Sequence, residues 1–213
     1  MQVAQMRPRA QAPRAAWLLR PWVKPLLFAL CLLPLAWLIG AAASDRLGAN
    51  PAQALIRASG DWTLRLLCLA LAITPLRLAL GLPALARFRR MLGLFVFFYA
   101  LLHVLCYAWL DMGLAFDDIG RDIAKRPFIL VGIKALGLLT LLAATSPRAM
   151  VRWLGGPRWQ WLHRSVYLVA LLALLHFWLM RAGKNDFAEV LVYGALLAAL
   201  LLARPLLRWR LSK

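Results

Sequence analysis

His103, His163 and His176 are the only histidines in this chain of 213 residues, and each falls inside an apolar stretch rather than a loop. An ionisable side chain inside a membrane span is a functional candidate by default, because burying it without a task is costly. Two imidazoles facing each other from neighbouring helices at one depth are the axial ligand set of a b-type haem. They fill the iron's coordination sphere and favour electron transfer over ligand chemistry.

Depth separates the three. At 1.5 Å per residue, His103 lies about 10 Å from the outer end of its span near Leu110, and His176 about 6 Å from the same face near Met180. His163, thirteen residues before His176, lies about 20 Å deeper, beside Arg164. Thirteen steps of about 100° also turn it some 140° away from the face of His176. One complete ligand pair, His103 with His176, is expected. His163 either ligates a second haem with an unidentified partner, or serves a quinone or a haem propionate. Tyr99, His103 and Tyr107 follow at i, i+4 and i+8, which puts two phenols either against a macrocycle or in an aromatic core stripe.

These residues sit in a chain that is 63% hydrophobic with a mean hydropathy of +0.72, well beyond the composition of a soluble domain. Apolar runs at roughly 26–43, 62–80, 91–110, 128–145, 161–180 and 188–203 are each of spanning length. The fold expected is an all-α, polytopic membrane bundle of about six helices over 26–203. A basic segment, 1–25, precedes it and a basic tail, 204–213, follows. Ala41-Ala42-Ala43 has the small side chains of a leader-cleavage site, but cutting there would remove the first span and break the orientation pattern.

A net charge of +18 would point to nucleic acid in a soluble protein. Here the charges punctuate spans, so membrane lipid is the expected partner and nucleic acid is not. With the N-terminus inside, sixteen basic residues fall on the inner side and seven on the outer side, while all eight acids fall outside. Arg65, Lys134 and Arg164 remain within spans or at their ends, where they snorkel or find partners. Six tryptophans, including Trp17, Trp153 and Trp209, stand near inner boundaries as anchors. Cys31, Cys68 and Cys106 all lie in apolar runs and read as small core residues. No GxGxxG follows a strand pattern and no GxxxxGK[ST] occurs, so a nucleotide-binding dehydrogenase domain is not expected in this chain.

Several short stretches occur in a set order: Thr74-Pro75-Leu76-Arg77, Arg89-Arg90-Met91-Leu92-Gly93-Leu94, Leu102-His103 with Tyr107, Arg126-Pro127-Phe128, Thr145-Ser146, and Trp161-Leu162-His163-Arg164 with Tyr167. Over roughly 31–180 the chain resembles the haem-binding membrane subunits, of the MsrQ type, of bacterial periplasmic protein-methionine-sulfoxide reductase systems. That family is similar to the ferric-reductase-like transmembrane superfamily, whose third and fifth helices carry haem ligands; this chain has three histidines where the superfamily pattern has four.

The resemblance implies a multi-pass inner-membrane protein with both termini cytoplasmic, binding haem b and FMN. It implies an electron-transfer subunit rather than the catalytic one, drawing on the quinone pool or a cytoplasmic flavin reductase. The acceptor it implies is a periplasmic molybdopterin-containing subunit that reduces methionine sulfoxide in oxidised proteins. Arg77, Arg87, Arg89, Arg90 and Arg164 are candidate anchors for an FMN phosphate. Two rivals stand beside this reading: a cytochrome that reduces ferric iron or oxygen at its own outer face, and a cofactor-free transporter or scaffold. The transporter would show internal repeats with matched broken helices, which the sequence lacks.

Overall fold

The computed structural model describes residues 15–183 and 185–211. The basic residues Arg7, Arg9, Arg14, Lys184 and Lys213, counted in the orientation pattern above, lie outside the described residues. Among the described residues nine α-helices follow one another: α1 Val23–Ala43, α2 Pro51–Leu80, α3 Arg89–Cys106, α4 Phe116–Lys125, α5 Pro127–Ala144, α6 Arg148–Leu154, α7 Gly156–His163, α8 Val166–Ala182 and α9 Ala188–Leu211. No strand occurs among the described residues.

Six segments are long and apolar enough to cross a membrane: Val23–Ala43, Pro51–Leu80, Pro83–Asp111, Pro127–Ala144, Gly156–Ala182 and Ala188–Arg210. The chain is a multi-pass membrane protein built as a helical bundle. Leu33, Trp37, Leu171 and Leu191 point outward from these spans, as a lipid-facing surface requires. The spans alternate in direction, which gathers Asp45, Asp61, Asp111, Asp117, Asp118, Asp122, Asp186 and Glu189 at one end of the bundle. The other end carries no Asp or Glu side chain.

Two antiparallel pairs, α2 with α3 and α5 with α8, make the most extensive contacts; α3 joins them through α5, and α9 closes the bundle against α2 and α8. Helix α1 lies outside α2 and α3. It is tied in where Pro34, lacking an N–H, interrupts its ladder. The hydroxyl of fully buried Tyr99 donates to Cys31 O at 2.8 Å and accepts from Leu35 N at 3.1 Å, standing in for the bond those two backbone groups would otherwise make. Tyr99 is therefore a core bolt between α1 and α3.

The structure departs from the sequence reading in three places. The second span starts at Pro51 rather than 62, because Asn50 caps it by accepting from Gln53 N at 3.0 Å and Pro51 occupies the first turn. Its 30 residues make a helix of about 45 Å, longer than a bilayer core of about 30 Å. The fifth span is broken into α7 and α8 at Arg164–Ser165, immediately after His163. The last helix continues through Pro205 to Leu211, so Arg204, Arg208 and Arg210 belong to it rather than to a separate tail.

Candidate functional site

Between the two helix pairs lies a cavity of about 490 Å³ that runs inward from the acid-bearing end, within the size range of cofactor pockets. Leu64, Leu67, Val96, Leu136, Leu139 and Val169 line its depth, and Arg57, Asp61, Tyr107, Arg126, Arg181 and Glu189 its mouth. His103 on α3 and His176 on α8 face it from opposite sides, with ring centres 6.1 Å apart and ring planes crossed at 83°. Two metal–imidazole bonds of about 2 Å each, with half a ring added on either side, span about 6 Å between ring centres.

The same local device holds each ring. His103 Nδ1 lies 2.8 Å from Ile56 O on α2, and His176 Nδ1 lies 2.6 Å from Phe128 O on α5. A carbonyl only accepts, so Nδ1 carries the hydrogen in both rings and Nε2 keeps its lone pair. Four residues after each carbonyl stands a glycine. A Cβ on Gly60 would lie 3.2 Å from His103 Nδ1 and Cε1, and one on Gly132 would lie 2.9 Å from His176 Nδ1. The missing side chain lets the imidazole reach the backbone of the neighbouring helix. The bonded residues are 47 and 48 positions apart in the two cases, so the helix pairs repeat one construction.

Sequence reasoning missed Ile56, Gly60, Phe128 and Gly132. Backbone carbonyls have no sequence signature, and 62 was taken as the start of the second span. The signal that was available is the pair Asn50-Pro51, which extends α2 far enough to bring Gly60 to the depth of His103.

Beyond His103 the chain makes one wider turn, Tyr107–Asp111, with i→i+5 geometry, an irregularity often found at functional sites. It brings Tyr107 to the cavity mouth, where its hydroxyl donates to Asp122 at 2.8 Å. Asp122 also pairs with Arg126, four residues on, at 2.8 Å, and the Tyr107 bond ties α4 to the end of the third span. Of the two phenols expected on this stripe, Tyr107 lines the cavity and Tyr99 does not. Arg181 pairs with Asp186 at 2.7 Å and with Glu189. Among the described residues, no group of three or more His, Cys, Asp or Glu is arranged for a metal ion, and all three cysteines are free.

His163 is not brought to this cavity. It stacks on Trp159, ring centres 4.0 Å apart, and its Nε2 lies 3.2 Å from Thr145 Oγ1. The Thr145 hydroxyl already donates to Leu141 O at 2.7 Å. It can only accept from His163, so here Nε2 carries the hydrogen. Arg89 is within electrostatic range of His163, and Arg77 and Arg204 within range of Arg89. Arg164 is exposed in the turn between α7 and α8, and Arg77 is half-buried near the end of α2. Arg65 donates to Tyr193 Oη at 3.3 Å and lies over Trp62, while Lys134 is exposed on α5.

The residues at the acid-bearing end fit a haem: two unprotonated imidazole nitrogens at bis-axial spacing, a largely apolar slot and cations at its mouth. Residues 59–174 match the family model described as ferric reductase like transmembrane component. The chain is 64% identical to the protein-methionine-sulfoxide reductase heme-binding subunit MsrQ of Polaromonas naphthalenivorans, over 89% of this chain and 87% of that protein. It is 53% identical to the protein of the same name from Ralstonia nicotianae, over 85% and 83%. The corresponding figures for the Rhodospirillum rubrum protein are 48%, 87% and 89%. No solved structure matches the chain. The chain belongs to the family of protein-methionine-sulfoxide reductase heme-binding subunits, MsrQ, within the ferric-reductase-like transmembrane proteins.

Proposed function

We propose that this protein is a haem b electron-transfer subunit of a methionine-sulfoxide reductase system, with His103 and His176 as the two residues that would hold the haem iron. The observation that carries the reading is the pair of imidazoles 6.1 Å apart, each pinned through Nδ1 to a helix carbonyl. Haem b, when bound, supplies a site that takes up and gives back one electron. The protein's own part is to hold and shield it. The carbonyls of Ile56 and Phe128 fix ring orientation and make Nε2 more basic. The leucine and valine walls exclude water, and Arg57 and Arg126 at the mouth suit the propionate carboxylates.

The orientation follows from charge: the acid-free end faces the cytoplasm with both termini, and the haem end faces the periplasm across the bacterial inner membrane. Electrons then come from the quinone pool or a cytoplasmic flavin reductase and leave to a periplasmic molybdopterin-containing methionine-sulfoxide reductase. His163 belongs to the donor side, where its ring and the nearby arginines face the incoming electron carrier. FMN is the second cofactor of this reading, with Arg77 and Arg164 as candidates for its phosphate.

A dithionite-reduced minus oxidised spectrum of the purified protein, with pyridine haemochrome quantitation, tests the centre of the proposal. One haem b per chain, lost in His103→Ala and in His176→Ala and kept in His163→Ala, is the expected result. A chain free of haem despite ample supply overturns it and leaves the scaffold reading. Haem reoxidised as fast by ferric citrate as by the periplasmic partner would favour direct reduction at the outer face.

A further inference from the structure

Arg204 is the one charged side chain among the described residues to be nine-tenths buried, at 9% exposure. Its position has a backbone cause. Pro75 in α2 has no N–H, so the carbonyl four residues earlier, Leu71 O, loses its helical partner. Arg204 Nη2 reaches across from α9 and donates to that carbonyl at 2.7 Å, while Nη1 donates to the Tyr167 hydroxyl. Both of these partners are neutral. Nε is buried and has no partner among the described residues.

The positive charge is therefore held off water with no carboxylate to meet it among the described residues. Every Asp and Glu side chain of the protein is at the opposite end of the bundle. The nearby ionic groups deepen the imbalance: Arg89 is within electrostatic range, and Arg208 borders the same cavity. That cavity measures about 340 Å³ and is bounded by Tyr167, Leu201, Arg204, Pro205 and Arg208. A buried cation is tolerated when it is paired or binds an anion. Basic pockets between spanning helices near the membrane boundary are seats for lipid phosphates, and exposed Trp209 on α9 marks that boundary here.

We propose that Arg204, with Arg208 and Arg89 around it, forms a binding site for a phosphate ester at the acid-free end of the bundle. The phosphate belongs to the headgroup of an anionic phospholipid. The site does not depend on the haem at the other end, whose content serves as the measure of correct folding.

The test uses the full-length, haem-loaded protein in phosphatidylcholine nanodiscs. Thermal stabilisation and binding are followed on adding phosphatidylglycerol, FMN or more phosphatidylcholine. The wild type is expected to respond to phosphatidylglycerol but not to phosphatidylcholine, and FMN is expected not to displace the phosphatidylglycerol. Arg204→Gln is expected to weaken binding roughly tenfold or more, Arg204→Lys less so, because a lysine keeps the charge and loses the fork. Arg152→Gln on α6 serves as a neutral control. A response to phosphatidylglycerol that FMN does not compete away assigns the lipid; displacement by FMN overturns that assignment. Should Arg204→Gln lose its haem or its helicity, Arg208→Gln decides alone, with weakened binding expected. Equal responses to all three additions, or wild-type binding in both glutamine variants, overturn the proposal.

Discussion

The two ends of the bundle handle a histidine in opposite ways. At the acid-bearing end, His103 and His176 give their Nδ1 hydrogen to helix carbonyls and keep Nε2 bare toward the cavity. At the other end, His163 gives its Nε2 hydrogen to a threonine hydroxyl and lies flat on Trp159. The residue type is the same, and the partner decides what it is ready to do: a carbonyl that can only accept leaves Nε2 with the lone pair a metal ligand needs, and a hydroxyl already committed to Leu141 O makes Nε2–H a hydrogen-bond donor.

The strongest way to break this contrast is to remove the rings one at a time. His103→Ala and His176→Ala are each expected to abolish haem binding, with less than about a tenth of the wild-type haem remaining, because a bis-imidazole site loses half its coordination. His163→Ala is expected to leave haem content unchanged. Haem lost from all three variants alike would mean that His163 shares the cofactor and that its threonine bond is broken in the loaded protein.

A subtler attack leaves all the histidines in place and fills a glycine notch. In an ordinary lipid-facing helix position, Gly→Ala adds helix propensity, up to about 1 kcal/mol. Here the sign is expected to reverse. Gly132→Ala places a methyl group 2.9 Å from His176 Nδ1, against a ring pinned to a carbonyl, so the ring must give up that bond or the helices must part. Most of the haem is expected to be lost, and what remains is expected to show a weakened low-spin spectrum. Gly60→Ala meets His103 at 3.2 Å and should retain more haem, with a shifted midpoint potential. The ranking of the two variants by haemochrome assay is the check; equal and full occupancy in both would remove the notch from the account.

Much of this was legible beforehand, for identifiable reasons. Spans show themselves because lipid-facing Leu33, Leu171 and Leu191 and core Leu67 and Val169 are apolar alike, and the depth match of His103 and His176 needs only the helix rise. The start of α2 was misplaced because Gln53, Arg57, Ser59 and Asp61 make its first turns polar, and hydropathy reads them as loop. The carbonyls of Ile56 and Phe128 have no residue type to betray them. Gly60 and Gly132 look like Gly40 or Gly137, around which there is open space. Arg204 reads as tail because the last apolar run ends at 203; only the freed Leu71 carbonyl explains why it turns inward. Tyr99 shared a helix stripe with His103, and only the proline-broken ladder of α1 drew it the other way.

The smallest effect tests the quiet side of the contrast. Thr145→Val keeps the shape of the side chain and removes the oxygen that His163 Nε2–H donates to. The ring would still be supported by Trp159, whose indole N–H donates to Thr145 O at 2.9 Å, a backbone bond the substitution leaves alone. The valine also lacks the hydroxyl that donates to Leu141 O, so two partly buried neutral hydrogen bonds are lost, at an expected cost of about 1–2 kcal/mol in stability, visible as a drop of a few degrees in the thermal midpoint. Haem content and the reduced spectrum should stay at wild type, because Thr145 does not line the cavity that His103 and His176 face. If haem falls in Thr145→Val while the fold survives, the two ends are coupled through the break at Arg164–Ser165, and His163 takes part in holding the cofactor after all.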